Sequence, residues 1–237
     1  MRQPLSVIAF DADDTLWVNE PNYRNAEKEL ERILQNYVDI QSITENLYKV
    51  EMKNLSLFGY GAKGFTISMI ETAIELSGKR ITAREIEQII SIGKSVMNNP
   101  IELLPNVRKV VIHLSQICKL MLITKGDLFD QESKIARSGL SEFFKYVEIV
   151  SEKDEATYFK ILKKHRIECH KFLMVGNSLK SDILPILNIG SKAVHIPYHT
   201  TWIHENVEQP DNRKKYYELP DIIELPDLIK NSFEIIE

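Results

Sequence analysis

Three acidic residues, Asp11, Asp13 and Asp14, directly follow an apolar run at residues 5–10. Like charges this close repel one another, and a carboxylate carried toward a low-dielectric region normally takes up a proton unless its charge is compensated. A divalent cation compensates such charges, because Mg²⁺ binds a few carboxylates together with water and phosphate oxygens. The spacing of these acids therefore predicts a charged site built around a cation.

Other residues able to do chemistry also follow short apolar runs. They are Thr124 with Lys125, Lys153, and Asn177 with Asp182. Ligands of open parallel sheets bind outside the carboxyl ends of the strands. If the runs form such a sheet, a hydroxyl, two lysines, an amide and several carboxylates converge on one edge.

Five apolar runs alternate with segments that have helical spacing of apolar residues. The runs cover residues 5–10, 120–124, 146–150, 171–175 and 193–196, and the helical segments cover 106–116, 155–166 and 179–189. Most runs lack strict alternation of apolar and polar residues, which is typical of strands covered on both faces. The pattern predicts an α/β fold with helices on both faces of a parallel sheet.

A long interval between the first two runs carries helical patterns and little strand signal. Helical spacing covers 22–38 and 63–76, and Thr82 with Glu85 forms a capping box before a further helix. The chain is expected to return to the sheet near Pro105, since proline disfavours helix at the residue before it. We therefore predict a helical insert at 17–103 in a core domain formed by residues 1–16 and 104–237.

The motifs in this order resemble those of the haloacid dehalogenase (HAD) superfamily, which includes many phosphatases. The first motif, Asp-x-Asp-x-Thr after a strand, corresponds to Asp11 through Thr15, and the second, a Thr or Ser, to Thr124. The third motif is a lysine, Lys153, and the fourth, Gly-Asp-x-x-x-x-Asp or similar, covers 176–182. The resemblance implies a Rossmann-like core with an α-helical cap subdomain of the C1 type.

The resemblance also implies a Mg²⁺-dependent phosphatase that acts on a small phosphorylated metabolite. Asp11 would be the nucleophile and a metal ligand, and Asp13 would offer its backbone carbonyl to the metal and act as acid and base. Thr124 would hold phosphate oxygens, while Lys153 would offset negative charge on the phosphoryl group and Asp11. Asp182 would bind the metal directly or through water.

Two residues depart from the family pattern, and a third candidate lies in the insert. Asn177 replaces the usual aspartate, so its contact with the metal is left open. Lys125 replaces a common asparagine, and it either adds positive charge near the phosphate or points to solvent. Lys63, in the glycine-rich stretch 59–65, either binds the leaving group or lies in a simple helix connection.

Composition narrows the remaining classes of function. The chain has 237 residues and a formal net charge of −4, and its one basic cluster, at 213–215, is short. We therefore expect no nucleic-acid partner. No apolar run approaches the roughly 20 residues of a membrane span, so we expect no membrane partner.

The first residues lead into a strand-like run, so no signal peptide is expected. The only two cysteines, Cys118 and Cys169, suggest neither a zinc site nor a disulfide framework, and a cytoplasmic location is the simplest expectation. Oligomeric state is not predicted.

Three alternatives stay open at this stage. A 2-haloacid dehalogenase on the same fold also uses an aspartate nucleophile, but it needs neither a metal nor an acid two residues later, so Asp13 weighs against it. A phosphomutase would share the first motif. A binding protein that retained the fold would not need Asp11, Asp13, Thr124 and Asp182 together.

Overall fold

The structure is a computed structural model that describes residues 2–200, 202–205 and 216–236. The basic cluster at 213–215 lies outside the described residues. No helix in the described ranges has the length and apolar character needed to cross a membrane.

The chain divides into two compact units. The core unit contains Met1–Glu20, Ile101–Lys125 and Glu132–Glu237, and the helical unit contains Pro21–Pro100 and Gly126–Gln131. The helical unit thus includes a short segment that follows Lys125 as well as the long interval between the first two runs. The predicted domain boundaries, a cap at 17–103 and a core at 1–16 and 104–237, stay a prediction.

The strands of the described chain are two to seven residues long. They are β1 (Gln3–Leu5), β2 (Val7–Phe10), β3 (Lys119–Lys125), β4 (Tyr146–Val150), β5 (Phe172–Gly176), β6 (Lys192–His195), β7 (Tyr217–Glu218) and β8 (Phe233–Ile235). Six of them form a sheet in the order β4-β3-β2-β5-β6-β7, and every neighbouring pair is parallel. The remaining two, β1 and β8, pair with each other in parallel. The predicted parallel α/β fold is confirmed.

Helices account for most of the rest of the described chain. They are α1 (Glu20–Leu34), α2 (Ile40–Phe58), α3 (Ala62–Leu76), α4 (Ala83–Asn98), α5 (Val107–Ser115), α6 (Leu128–Ser138), α7 (Glu155–His165), α8 (Leu184–Asn188) and α9 (Leu225–Ser232). The capping box predicted at the start of α4 is present, with the Thr82 side chain accepting from the Glu85 N–H and the Glu85 side chain accepting from the Thr82 N–H. At α7 the Asp154 side chain accepts from Thr157 N at 2.7 Å, which fixes the first turn after the end of β4.

Side chains along the central strand alternate between two apolar layers. Ile8 and Phe10 pack in the cluster that contains residues of α5 and α9. Val7 and Ala9 pack in the cluster that contains residues of α7 and α8. This period of two explains why strands covered on both faces read as continuous apolar runs.

The helical unit has its own apolar core. Its fully buried members include Leu30, Leu34, Ile43, Met69 and Ile89, which come from α1 to α4. Four helices with one shared core are the reason the interval shows helical spacing without strand signal.

The structure corrects several predicted elements. The run at 5–10 is split at Ser6, whose N–H donates to Lys171 O rather than to a strand neighbour within the main sheet. The helix predicted at 179–189 is a π-helix over Leu179–Ile183 followed by the short α8. Strands β7 and β8 are two and three residues long. Segments this short are too short to show a period of apolar residues, so the sequence does not predict them.

Candidate functional site

Two carboxylates and one lysine meet at the carboxyl ends of three strands. Asp11 follows β2, and its N–H donates to Val175 O in β5 at 2.9 Å. Lys153 Nζ lies 2.5 Å from Asp11 Oδ1 and 2.8 Å from Asp182 Oδ1. All three of these charged side chains are buried. The structure therefore brings Asp11 together with two residues that follow it by more than a hundred positions in sequence.

The charges of this cluster act on one another with little solvent screening. Burial raises the pKa of Asp11 to about 7, the Lys153 charge acts in the opposite direction, and the Asp182 charge adds to the rise. Burial alone would lower the pKa of Lys153, but Asp11 and Asp182 outweigh it and hold that pKa well above its usual value. Lys153 is thus a permanent cation between two acids, one of which is poorly stabilised as an anion.

Thr15 links Asp11 to the fourth motif. Its Oγ1 lies 2.8 Å from Asp11 Oδ2 and 3.1 Å from Asn177 Oδ1, and it accepts a hydrogen bond from Asn177 N at 3.1 Å. The sequence placed Thr15 in the first motif without assigning it a contact. In the structure Thr15 fixes the orientation of both the candidate nucleophile, Asp11, and the amide side chain of Asn177.

Gly176 is required by the close approach of Asp182. A Cβ atom at this position would lie 2.3 Å from Asp182 Oδ2, which is inside van der Waals contact. The same oxygen accepts from Ser178 N at 3.1 Å. The absence of a side chain at Gly176 therefore lets the carboxylate of Asp182 reach Lys153.

Asp13 points its carboxylate to partners that the sequence did not identify. Its Oδ1 accepts from Trp17 Nε1 at 2.7 Å, and Lys134 Nζ lies 3.0 Å from each of its two oxygens. Lys134 Nζ is also 2.8 Å from Asn19 Oδ1. Nothing in the polar stretch around Lys134 distinguishes it from a solvated helix lysine, although it is buried.

Asp14, the third acid of the opening cluster, has a structural role. Its Oδ1 accepts from the backbone N–H of Asn19 at 2.8 Å, and both of its oxygens lie within 3.2 Å of the backbone N of Glu20. Burial raises its pKa to about 8 in spite of these hydrogen bonds. Asp14 thus caps the start of α1.

Thr124 and Lys125 end β3. Thr124 is buried and lies opposite Ile149 in the register of β3 with β4. Lys125 Nζ lies 2.7 Å from Glu205 Oε1 and 3.3 Å from Glu152 Oε1. The ammonium of Lys125 is therefore held among carboxylates, and its predicted contact with substrate stays a prediction.

Lys63 belongs to the helical unit. Its Nζ lies 2.8 Å from Asp127 Oδ1 and 5.4 Å from the centre of the Phe129 ring. Gly61 has a φ of 122°, and a Cβ there would lie 3.3 Å from Asp127 Cβ. The glycine-rich stretch thus packs closely on the segment that follows β3, and the predicted contact between Lys63 and substrate stays untested.

The oxygen donors at the sheet edge fit Mg²⁺. Across the described residues, no group of three or more His, Cys, Asp and Glu side chains could hold a metal ion. What the edge offers is two carboxylates, Asp11 and Asp182, and the neutral amide oxygen of Asn177. Mg²⁺ commonly takes only one or two protein carboxylates and completes its octahedron with water and substrate phosphate oxygens.

Comparisons with known proteins agree on one family. A family model described as haloacid dehalogenase-like hydrolase matches residues 5–190. A solved haloacid dehalogenase-like family hydrolase from Xanthomonas campestris is 43% identical, covers 97% of this chain and 92% of its own, and superposes with a TM-score of 0.87.

Two curated relatives carry phosphatase names. The N-acylneuraminate-9-phosphatase of Homo sapiens is 24% identical over 237 residues, which cover 94% of this chain and 93% of that protein. The glyceraldehyde 3-phosphate phosphatase of Pyrococcus abyssi is 35% identical over 100 residues, which cover 40% of this chain and 42% of that protein. The second match thus spans less than half of either protein.

Proposed function

Because this chain belongs to the haloacid dehalogenase-like hydrolase family, we propose that it is a Mg²⁺-dependent phosphatase that acts on a small phosphorylated metabolite. The observation that carries the proposal is the contact of Lys153 with both Asp11 and Asp182, with a second acid, Asp13, two residues after the first. The phosphatase names of two relatives support the same reaction class.

The proposed metal ligands are oxygen atoms at the carboxyl ends of β2 and β5. They are the Asp11 carboxylate, the Asp13 backbone carbonyl, the Asp182 carboxylate and the Asn177 amide. Bound Mg²⁺ would supply positive charge that stabilises the phosphoryl oxygens and the two acids. Without that charge, burial disfavours the anionic form of Asp11.

The first chemical step is assigned to Asp11 and Asp13. A carboxylate oxygen of Asp11 attacks phosphorus and forms a new O–P bond, while the bond from phosphorus to the leaving oxygen breaks. The leaving oxygen keeps the bonding electron pair and takes a proton from Asp13. Lys153 and Thr124 stabilise the charge that develops on the phosphoryl oxygens.

The second step releases phosphate and restores the enzyme. Asp13, now a carboxylate, takes a proton from water as the water oxygen attacks phosphorus. The bond from phosphorus to Asp11 breaks, and its electron pair returns to the Asp11 carboxylate. Direct contacts of Lys125 and Lys63 with the substrate remain predictions within this scheme.

A cytoplasmic location is part of the proposal. Cys118 and Cys169 are both free. Free thiols without a disulfide framework are typical of a reducing compartment.

Release of inorganic phosphate from a panel of phosphate monoesters tests the proposal. Glyceraldehyde 3-phosphate and N-acylneuraminate 9-phosphate come first in the panel, followed by sugar, nucleoside and aryl phosphates. We expect turnover with Mg²⁺ that stops with EDTA and returns when Mg²⁺ is restored. Halide release from a 2-haloacid without metal, or transfer of phosphate to a second sugar hydroxyl instead of water, would overturn it.

A further inference from the structure

Lys125 connects three loops of the sheet edge. Besides Glu205 and Glu152, its Nζ lies 3.3 Å from Ser181 Oγ. Its side chain is 13% exposed and that of Glu205 is 12% exposed. Both charges of a pair shielded to this degree are poorly solvated, so removal of one partner leaves an uncompensated charge that is costly to keep buried.

Glu205 follows β6 and reaches the turn that begins the fourth motif. Its Oε2 accepts from Ser178 Oγ at 2.5 Å and from Ser181 Oγ at 2.6 Å. Burial raises the pKa of Glu205, but the charge and hydrogen bond of Lys125 and the two serine hydroxyls outweigh it and lower the pKa to about 2. Glu205 is therefore an anion whose carboxylate contacts Lys125, Ser178 and Ser181 at 2.5 to 2.7 Å.

The turn held by Glu205 carries Asp182. Ser178 Oγ also accepts from Ser181 N at 3.0 Å, and Ser178 N donates to Asp182 Oδ2 at 3.1 Å. On the other side of the turn, Tyr158 Oη donates to Ser181 O at 2.9 Å. Glu205 is thus linked to Asp182 through Ser178, which bonds the Asp182 carboxylate, and through Ser181, which directly precedes Asp182 in the chain.

The other end of the ion pair reaches Lys153. Glu152 Oε1 lies 3.3 Å from Lys125 Nζ and accepts from the backbone N–H of Lys153 at 3.0 Å. Lys125 is therefore linked to both charged partners of Asp11. Through Glu152 it is linked to the backbone of Lys153, and through Glu205 and Ser181 it is linked to the turn that carries Asp182.

We propose that Lys125 and Glu205 are positioning residues, which together hold Lys153 and Asp182 in register around Asp11. The proposal rests on the function proposed above and assigns Lys125 a role other than phosphate binding. The Lys125 ammonium lies among the carboxylates of Glu205 and Glu152, so its charge is compensated by neighbouring residues of this chain. Mutation of residues that position a metal ligand or a catalytic group commonly lowers activity, although these residues do not touch the substrate.

A double-mutant cycle tests the pairing without any substrate. The variants are Lys125→Gln, Glu205→Gln and the combination, and their Tm values are measured in EDTA. We expect each single change to lower Tm by roughly 5 °C and the double variant to lie well above the sum of the two losses. The more exposed pair of Lys171 with Glu168, whose side chains are 28% and 60% exposed, supplies a control cycle, in which we expect little loss and little coupling. Additive losses at 125 and 205 would overturn the proposal.

Kinetics separate positioning from phosphate binding. For the best substrate of the panel, we expect each single variant to lose roughly 10- to 100-fold in kcat, with KM and the inhibition constant of inorganic phosphate changed by less than about threefold. The double variant should recover part of the kcat loss. A rise of tenfold or more in KM and in the inhibition constant of phosphate for Lys125→Gln, with Glu205→Gln unaffected, would make Lys125 a phosphate ligand and overturn the positioning role.

If a single variant does not fold, Lys125→Arg and Glu205→Asp replace it in the thermal and the kinetic measurements. Wild-type turnover is measured in parallel, so a failure of the proposed function is seen separately from a failure of the pair.

Discussion

The ammonium of Lys134 lies 3.0 Å from both carboxylate oxygens of Asp13. The Asp13 side chain is 21% exposed and that of Lys134 is 9% exposed, so the contact is largely removed from solvent. The proposed acid of the reaction is thus fixed in place by a residue of α6, at a distance of 121 positions in the sequence.

Replacement of Lys134 tests how strongly this contact stabilises the fold. Lys134→Met leaves the Asp13 carboxylate without its ionic partner, so we expect a loss of about 1–3 kcal/mol in the free energy of unfolding. Urea denaturation measures it. In the Asp13→Asn background the same change should cost less, because the charge that needed the partner is gone. Lys163→Met, at an exposed lysine of α7, is the control. Equal costs in both backgrounds would show that Asp13 is not the group that Lys134 stabilises.

Replacement of the proposed nucleophile tests the chemistry. Asp11→Asn keeps the shape of the side chain but is a poor nucleophile, so we expect turnover to fall by roughly a thousandfold or more. Since burial disfavours the Asp11 charge, Tm without metal should stay level or rise. Steady-state kinetics and thermal unfolding provide the two readings. Asp227→Asn, at an exposed aspartate in the first turn of α9, should retain full turnover. Wild-type turnover in a verified Asp11→Asn preparation contradicts the assignment.

The acid role of Asp13 predicts a dependence on the leaving group. Asp13→Asn still accepts from Trp17 but cannot give a proton, so alkyl phosphates should lose roughly 10²- to 10⁴-fold in kcat. Aryl phosphates, whose leaving oxygens need little protonation, should lose much less. The measurement is kcat for a series of esters of graded leaving-group pKa. A loss of the same size for alkyl and aryl esters would remove the support for proton transfer by Asp13.

The Lys63–Asp127 pair predicts a pH-dependent effect within the helical unit. The hydrogen bond from Lys63 is the main cause that lowers the pKa of Asp127 below its ordinary value of 3.8. A carboxyl with a lowered folded-state pKa adds stability above its unfolded pKa and loses it as the pH falls through the folded pKa. Lys63→Met should therefore lower the free energy of unfolding by at most about 1 kcal/mol at pH 7, and by less near pH 3. Carboxyl NMR titration should find the pKa of Asp127 closer to 3.8. An unchanged titration would mean that the pair does not form in solution.

The same variant also addresses the substrate contact predicted for Lys63. If Lys63 binds the leaving group, kcat/KM should fall much more for the best natural substrate than for a small aryl phosphate. Small and equal effects on both substrates would make the stretch at 59–65 a connector whose lysine serves only Asp127.

The sequence carried the parts of the fold that depend on local period. Strands covered on both faces read as apolar runs, and the central strand alternates between two apolar layers, as Ile8 and Val7 illustrate. The capping box of Thr82 and Glu85 is local to four residues and was predicted in full. By contrast, the break at Ser6 depends on a bond to Lys171, which no local pattern encodes.

The site divides in the same way. The expectation that Asp11, Lys153 and Asp182 lie close together follows because the ends of parallel strands meet at one edge, and the structure shows their contacts; the resemblance to the family singles them out among their neighbours. Lys134 and Glu205 were not found, because each is recognised only by its contact with a residue distant in sequence. Their surroundings are polar, so composition gives no reason to expect a buried charge. Long-range ion pairs of this kind follow from the packed structure and not from propensity.

The hydrogen bond from Trp17 to Asp13 gives the protein a built-in optical probe. The chain has only two tryptophans. The Trp17 side chain is buried and donates from its indole nitrogen to the acid of the proposed reaction. The other, Trp202, lies three positions before Glu205, with its ring centre 5.0 Å from that of His204. Indole emission responds to nearby charge, so Trp202→Phe leaves a single fluorophore in contact with the Asp13 carboxylate, and Trp17→Phe leaves one beside the segment that carries Glu205. Fluorescence titration with Mg²⁺ or inorganic phosphate can then follow each side of the site in the intact protein, with no label attached.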